Sequence, residues 1–108
     1  MKEVESIKDI TDTKYLVKFG QEFCIPCEMT ENNLKEIEGE FNFPFYSTKN
    51  VDEALERGYK KLPAVLIFND GNSIDCDDSS VLMNKDELKT WIEHNNELKD
   101  ATVLNEGE

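Results

Sequence analysis

Cys24-Ile25-Pro26-Cys27 places two thiols two residues apart, and that spacing carries chemistry. Two sulfurs so placed can meet across one helical turn as a disulfide or a dithiol. An apolar run, Tyr15-Leu16-Val17-Lys18-Phe19, lies upstream, and a helix-like stretch from Glu28 to Glu38 follows. The order strand, loop, CxxC, helix is how a dithiol redox centre is positioned. Cys24 at the helix N-terminus faces unpaired backbone N–H groups and the positive end of the dipole, which favour thiolate over thiol. The thiolate is the species that attacks a disulfide. Pro26 fits the first turn, where its missing N–H is not needed.

Two other readings of the pair stay open. A CxxC is half of a zinc site, but structural zinc takes four ligands. Cys76 and His94 are the remaining cysteine and the histidine, each isolated, so no metal is expected. A structural disulfide without turnover is the second alternative, although such bridges stabilise most when they close longer loops.

The chain of 108 residues suffices for one compact domain. We expect a single domain over residues 1–98 and a polar acidic C-terminal tail over 99–108, with Glu106-Gly107-Glu108 disordered. Twenty-four acids against 12 bases give a net charge of −12. That balance argues against nucleic acid and anionic membrane surfaces, which need clustered Lys and Arg. It suits solubility, or faster association with a basic partner. No stretch is long and apolar enough to span a bilayer. The N-terminus lacks the apolar run of a signal peptide. The expected compartment is cytoplasmic and reducing, where a CxxC is more often catalytic than structural.

The elements that must hold the thiols follow from pattern. Lys2 to Ser6 reads as a short strand, and Ile7 to Asp12 has room for little more than one helical turn. Tyr15 to Phe19 reads as a central strand that ends at Gly20. The helix of Cys24 to Glu38 should bury Met29, Leu34 and Ile37, with Gly39 as its C-cap. Asn42 to Ser47 reads as a strand in which Pro44 marks an edge or a start. Asn50 and Glu53 resemble a capping box for a short helix ending near Gly58. Leu62-Pro63 leads into a buried strand through Phe68. Asn69-Asp70-Gly71-Asn72 signals a hairpin whose partner strand is Ser73 to Asp77. Asn84, with Glu87 three residues on, starts the last helix, and Leu88, Trp91, Ile92 and Leu98 form its apolar face. Alternating strands and helices imply parallel pairing, and the turn at Asp70-Gly71 forces one antiparallel hairpin.

Taken together these segments resemble a thioredoxin over roughly residues 15 to 96. The resemblance rests on Tyr15-Leu-Val-Lys-Phe with Phe23-Cys24-Ile25-Pro26-Cys27, on Leu62-Pro63 opening Ala-Val-Leu-Ile-Phe-Asn-Asp-Gly, on the hairpin, and on Asn84-Lys-Asp-Glu-Leu-Lys-Thr-Trp-Ile. It implies an α/β thioredoxin fold: a central mixed sheet of four to five strands with helices on both faces. It implies that Cys24 attacks and Cys27 resolves, and that Pro63 is a cis-proline facing the disulfide. Phe23, Ile25, Pro26, Leu62 and Pro63 would line the substrate groove. The chain departs from the family pattern in five places. Phe23 stands where Trp is usual, Ile25 where Gly is usual, Glu28 where a basic residue is common, and Lys18 where a buried acid is common. The first helix is abbreviated.

The resulting expectation is a monomeric protein-disulfide reductase that needs no metal or organic cofactor, the Cys24–Cys27 pair being its redox centre. Disulfide-containing proteins are the expected targets, with a thioredoxin-reductase-like enzyme for recycling. One rival is an acidic thioredoxin-fold binding module with an incidental dithiol. Another is a glutaredoxin-like reductase using glutathione, for which Lys60 and Lys61 beside Pro63 are the available cations. Lys18 is expected either to tune the cysteines as a buried cation or to reach the surface and pair with Glu22 or Glu28. Cys76 reads as a spare thiol on an edge strand. Its neighbours Asp75, Asp77 and Asp78 lack the pattern of a calcium loop. His94 should be exposed, and Phe41, Phe43, Phe45 and Tyr46 should belong to the core.

Overall fold

Strand β2, Lys14–Phe19, is buried along nearly its whole length, so both of its faces must be covered. Side chains alternate across a strand. Leu16 joins a cluster with Val65 and Ile67 on one face. Tyr15, Val17 and Phe19 join Ala64 and Leu66 on the other. Covering both faces calls for helices on either side of the sheet, and the computed structural model, which describes residues 1–96, has them.

The sheet has five strands in the order β1-β3-β2-β4-β5. These are β1 (Lys2–Glu3), β2, β3 (Phe45–Thr48), β4 (Ala64–Asn69) and β5 (Asn72–Cys76). β3 runs parallel to both β1 and β2. β4 is antiparallel to β2 and to β5. The sheet is therefore mixed as expected, but the hairpin is not its one antiparallel pairing. The connection through α2 returns β4 to the far side of β2 in the opposite direction. Asp70 and Gly71 both take positive φ, 57° and 88°, as the tight turn of a two-residue hairpin requires.

Helices α1 (Ile25–Ile37), α3 (Ser79–Leu82) and α4 (Lys85–Asn95) cover the Leu16 face. They contribute Leu34, Ile37, Leu82, Leu88 and Ile92 to its core, together with Phe43 and Phe45. Helix α2 (Val51–Glu56) and a 3-10 turn at Ile7–Asp9 cover the other face through Ala54 and Ile7. Asn50 caps α2 by accepting from Glu53 N at 3.0 Å, and Asn84 caps α4 by accepting from Glu87 N at 3.1 Å. Gly58, at φ 94°, supplies the left-handed residue just beyond α2.

Several expectations are corrected. Met29 is exposed, because the buried stripe of α1 runs Cys27, Thr30, Leu34, Ile37. Gly39 is no left-handed cap; it lies in a 3-10 turn, Glu38–Glu40, that extends α1. The third strand begins after Pro44, whose carbonyl accepts from Leu16 N at 3.0 Å. Helix α3 was not anticipated. Asp78 caps it, its Oδ1 accepting from Ser80 N at 3.0 Å and from Ser80 Oγ at 2.7 Å. Trp91 is half-buried against the α1-side core, and Phe41, Phe43, Phe45 and Tyr46 are core or half-buried, as read. Leu98, the 98/99 boundary and the acidic tail lie outside the described residues.

Candidate redox site

Cys24 and Cys27 form a disulfide with Cα atoms 5.2 Å apart. Cys24 is the N-cap of α1 and keeps an extended backbone, while Pro26 occupies the first turn. Cys24 Sγ accepts a hydrogen bond from Cys27 N at 3.2 Å. The sulfur thus takes the place of a capping oxygen and meets one of the unpaired amides at the helix start. A developing thiolate at Cys24 would be held by that amide and the positive helix end.

The pairing of β2 with β4 aligns the rest of the site. Phe19 stands opposite Ala64 in that ladder. Gly20 follows Phe19 toward the cysteines, and Pro63, with a cis Leu62–Pro63 bond, precedes Ala64. The loop carrying Cys24 and the segment Leu62–Pro63 therefore leave the sheet at the same end. Pro63 is buried and Leu62 half-buried.

Around the disulfide the exposure is uneven. Phe23 is fully exposed with φ 56°, Ile25 is 70% exposed, and Met29 one turn further along α1 is also exposed. These large apolar side chains form an outward-facing collar beside Cys24, and Pro26 is half-buried between the cysteines. Cys24 itself is 8% exposed and Cys27 2%. Both sulfur-bearing residues are therefore buried in the disulfide, Cys24 slightly less than Cys27.

Lys18 is the one site residue that sequence left between two readings. It shares the Leu16 face of β2, which points it under α1. It is 2% exposed, and its Nζ lies 2.6 Å from Glu31 Oε1. The partner is neither Glu22 nor Glu28. Glu31 was missed, although it sits four residues after Cys27 and so on the same face of α1. Glu31 Oε2 also meets Lys35 Nζ at 3.4 Å. Burial alone would raise the Glu31 pKa, but the hydrogen bonds and charges of Lys18 and Lys35 outweigh it and hold the carboxyl below its ordinary value. Lys18, Cys27, Glu28, Glu31, Phe23 and Lys49 are among the residues lining a cleft of about 240 Å³. Gly20 makes room for the ammonium. A Cβ there would sit 3.0 Å from Lys18 Nζ and 3.3 Å from Cys27 Cβ.

The third cysteine is a different environment. Cys76 is half-buried on β5, opposite Val65. Burial raises its thiol pKa, and the nearby charges of Asp78, Asp77 and Asp75 add to that against a backbone hydrogen bond from Asp78. Asp75 accepts from the Tyr59 hydroxyl and Asp78 caps α3, so both acids have structural partners. His94 is exposed on α4. Among the described residues no helix is long and apolar enough to cross a membrane.

The comparisons with known proteins agree with this geometry. No family model matches the sequence. The thioredoxin of Rickettsia bellii is 31% identical over 90 residues, spanning 79% of this chain and 84% of that protein. The thioredoxin of Chlamydia caviae is 30% identical over 64 residues, which cover 56% of this chain and 63% of that protein, just under two thirds of its length. The reduced thioredoxin pre-protein of Schistosoma mansoni has the same fold, with a TM-score of 0.67 at 15% identity over 86% of this chain and 95% of that one. With a disulfide capping the helix, a cis-proline at the same end of a five-stranded mixed sheet, and this likeness across most of its length, the chain belongs to the thioredoxin family of thiol–disulfide oxidoreductases.

Proposed function

We propose that the chain is a protein-disulfide reductase working through Cys24 and Cys27. In the reducing direction the Cys24 thiolate attacks one sulfur of a target disulfide. The target's S–S bond breaks, its second sulfur leaves as a thiolate that takes up a proton, and Cys24 is left in a mixed disulfide. Cys27 then loses its proton and attacks Cys24 Sγ. The bond between Cys24 and the target breaks, the target leaves with both sulfurs reduced, and the Cys24–Cys27 disulfide is left. The observation that carries this reading is the capping contact from Cys27 N to Cys24 Sγ, which favours a thiolate at the outer sulfur.

The collar of Phe23 and Ile25, with Pro26, Leu62 and Pro63, forms the groove for the target chain, and the Leu62 backbone pairs with it. The dithiol is the redox centre, so the reaction requires no metal or organic cofactor. The partners are disulfide-containing proteins and a thioredoxin-reductase-like enzyme that returns electrons to the pair. The protein acts as a monomer in the cytoplasm, in electron transport that maintains cell redox homeostasis.

The test is insulin reduction by dithiothreitol with and without the protein, together with trapping. The protein accelerates insulin precipitation. Cys27→Ser accumulates mixed disulfides with targets, and Cys24→Ser accumulates none. Equal trapping by both variants contradicts the assigned roles, and no acceleration contradicts the activity.

A further inference from the structure

Cys27 has an unsolved charge problem. It must become a thiolate to resolve the mixed disulfide, yet it is 2% exposed, and burial disfavours the charged form of a thiol. The capping amide serves Cys24 and not Cys27. A counter-charge is needed on the inner side of the helix.

The cleft beside Cys27 holds one buried cation. Its charged lining comprises Lys18 from β2, Glu22 from the loop after it, Glu28 and Glu31 from α1, and Lys49 from the segment after β3. Lys49 is exposed and lies 3.5 Å from Glu22. Lys18 is buried and bonded to Glu31, which in turn meets Lys35. A single point at Gly20 lies 3.0 Å from Lys18 Nζ and 3.3 Å from Cys27 Cβ. The ammonium thus lies no more than about 6.3 Å from Cys27 Cβ, in the range where an opposite charge begins to shift a pKa.

We propose that the Lys18–Glu31 ion pair positions and tunes charge on Cys27. Lys18 stabilises the resolving thiolate, and Glu31 holds the ammonium in place while damping its field. This rests on the reading of Cys27 as the resolving cysteine. The pair is not itself a catalytic residue set, since it acts through Cys27. During the resolving step the Cys27 proton leaves to solvent, the Cys27–Cys24 bond forms as the Cys24–target S–S bond breaks, and the target sulfur departs as a thiolate.

The two members of the pair have opposite charge, so their removal must have opposite effects. In a Cys24→Ser, Cys76→Ser background Cys27 is the remaining thiol, and its ultraviolet thiolate absorbance can be titrated. Lys18→Met should raise the Cys27 midpoint by about one pH unit, a tenfold loss of thiolate at neutral pH. Glu31→Gln should lower it. An unmoved midpoint in either variant, or shifts of the same sign, overturns the proposal. Should Lys18→Met fail to fold, the partly exposed Glu31→Gln decides alone: a lowered midpoint supports the role, and an unchanged or raised one ends it. Insulin reduction by the unmodified protein separates the two levels. Activity with an unmoved Cys27 midpoint removes the ion pair's role and leaves the redox assignment standing, whereas a shifted midpoint in an inert protein does the reverse.

Discussion

Among the described residues, each side of the sheet buries one charged side chain, Glu53 and Lys18, and the two are held in contrasting ways. Glu53 lies on the α2 side, where Oε1 accepts from Ile7 N at 3.0 Å and Oε2 from Ser6 Oγ at 2.8 Å. Neutral donors fixed by the 3-10 turn hold it, and it staples that turn to α2. Lys18 lies under α1, where a titratable carboxylate shared with Lys35 balances it. Glu53 is bound into the backbone of its surroundings. Lys18 faces a cleft that also reaches Cys27. On the role proposed for Lys18, the difference separates a charge that builds the fold from a charge that acts on a neighbour. A buried group's role is thus read from what satisfies it, and not from its burial.

Removing each group in turn separates the two roles. Glu53→Ala should have the largest effect on stability, about 3 kcal/mol, because it leaves the buried Ile7 N–H without its acceptor. Denaturant unfolding measures this, and the reduction potential of the dithiol should stay put. Lys18→Met should do the reverse. Met fills similar space and Glu31 can turn to solvent, so stability should change by under ~1 kcal/mol. The potential should fall by about 30 mV, the equivalent of tenfold in the exchange constant for this two-electron couple. The sign follows because a cation stabilises thiolate and hence the reduced form.

Acid sharpens the contrast further. The Glu31 carboxyl is held below its ordinary pKa, so its pairing contributes stability in full above the unfolded value of about 4.3. That contribution is lost as pH falls through the depressed folded value. Glu31→Gln should therefore flatten the acid limb of a stability–pH profile, and a limb identical to wild type would show that the pair does not couple to folding. The smallest expected effect is optical. Trp91 packs against the α1-side core from α4, and Phe23 holds the place beside Cys24. Reduction should change tryptophan emission only slightly, and a large change would mean that reduction rearranges the α4 packing.

The parts of the site governed by neighbouring residues were legible in sequence. Cys24 as a cap, Pro26 in the first turn, Asn50 and Asn84 as caps and the Asp70-Gly71 turn are all decided within four residues. The cis bond at Pro63 was implied by resemblance alone. What sequence did not disclose depends on packing between distant elements. Lys18 meets Glu31 because β2 lies under α1, and nearby Glu22 and Glu28 were equally plausible partners along the chain. Met29 was misplaced because Cys27 and Thr30, a sulfur and a hydroxyl, occupy half of the buried stripe of α1 and gave no apolar signal. Helix α3 spans four residues, too few to show a period, and its cap Asp78 reads as one of several loop acids. Glu53 was read as part of a cap, whereas its carboxylate reaches across to the N-terminal turn.

Cys24 and Cys27 should form a reversible two-electron couple in the folded protein. Equilibration with dithiothreitol and glutathione buffers, read by thiol alkylation and mass spectrometry, tests it most directly. We expect one transition in which both cysteines pass together between dithiol and disulfide, unchanged by Cys76→Ser and with the fold intact throughout. A pair that opens only when the protein unfolds, or a disulfide that recruits Cys76, would contradict the account.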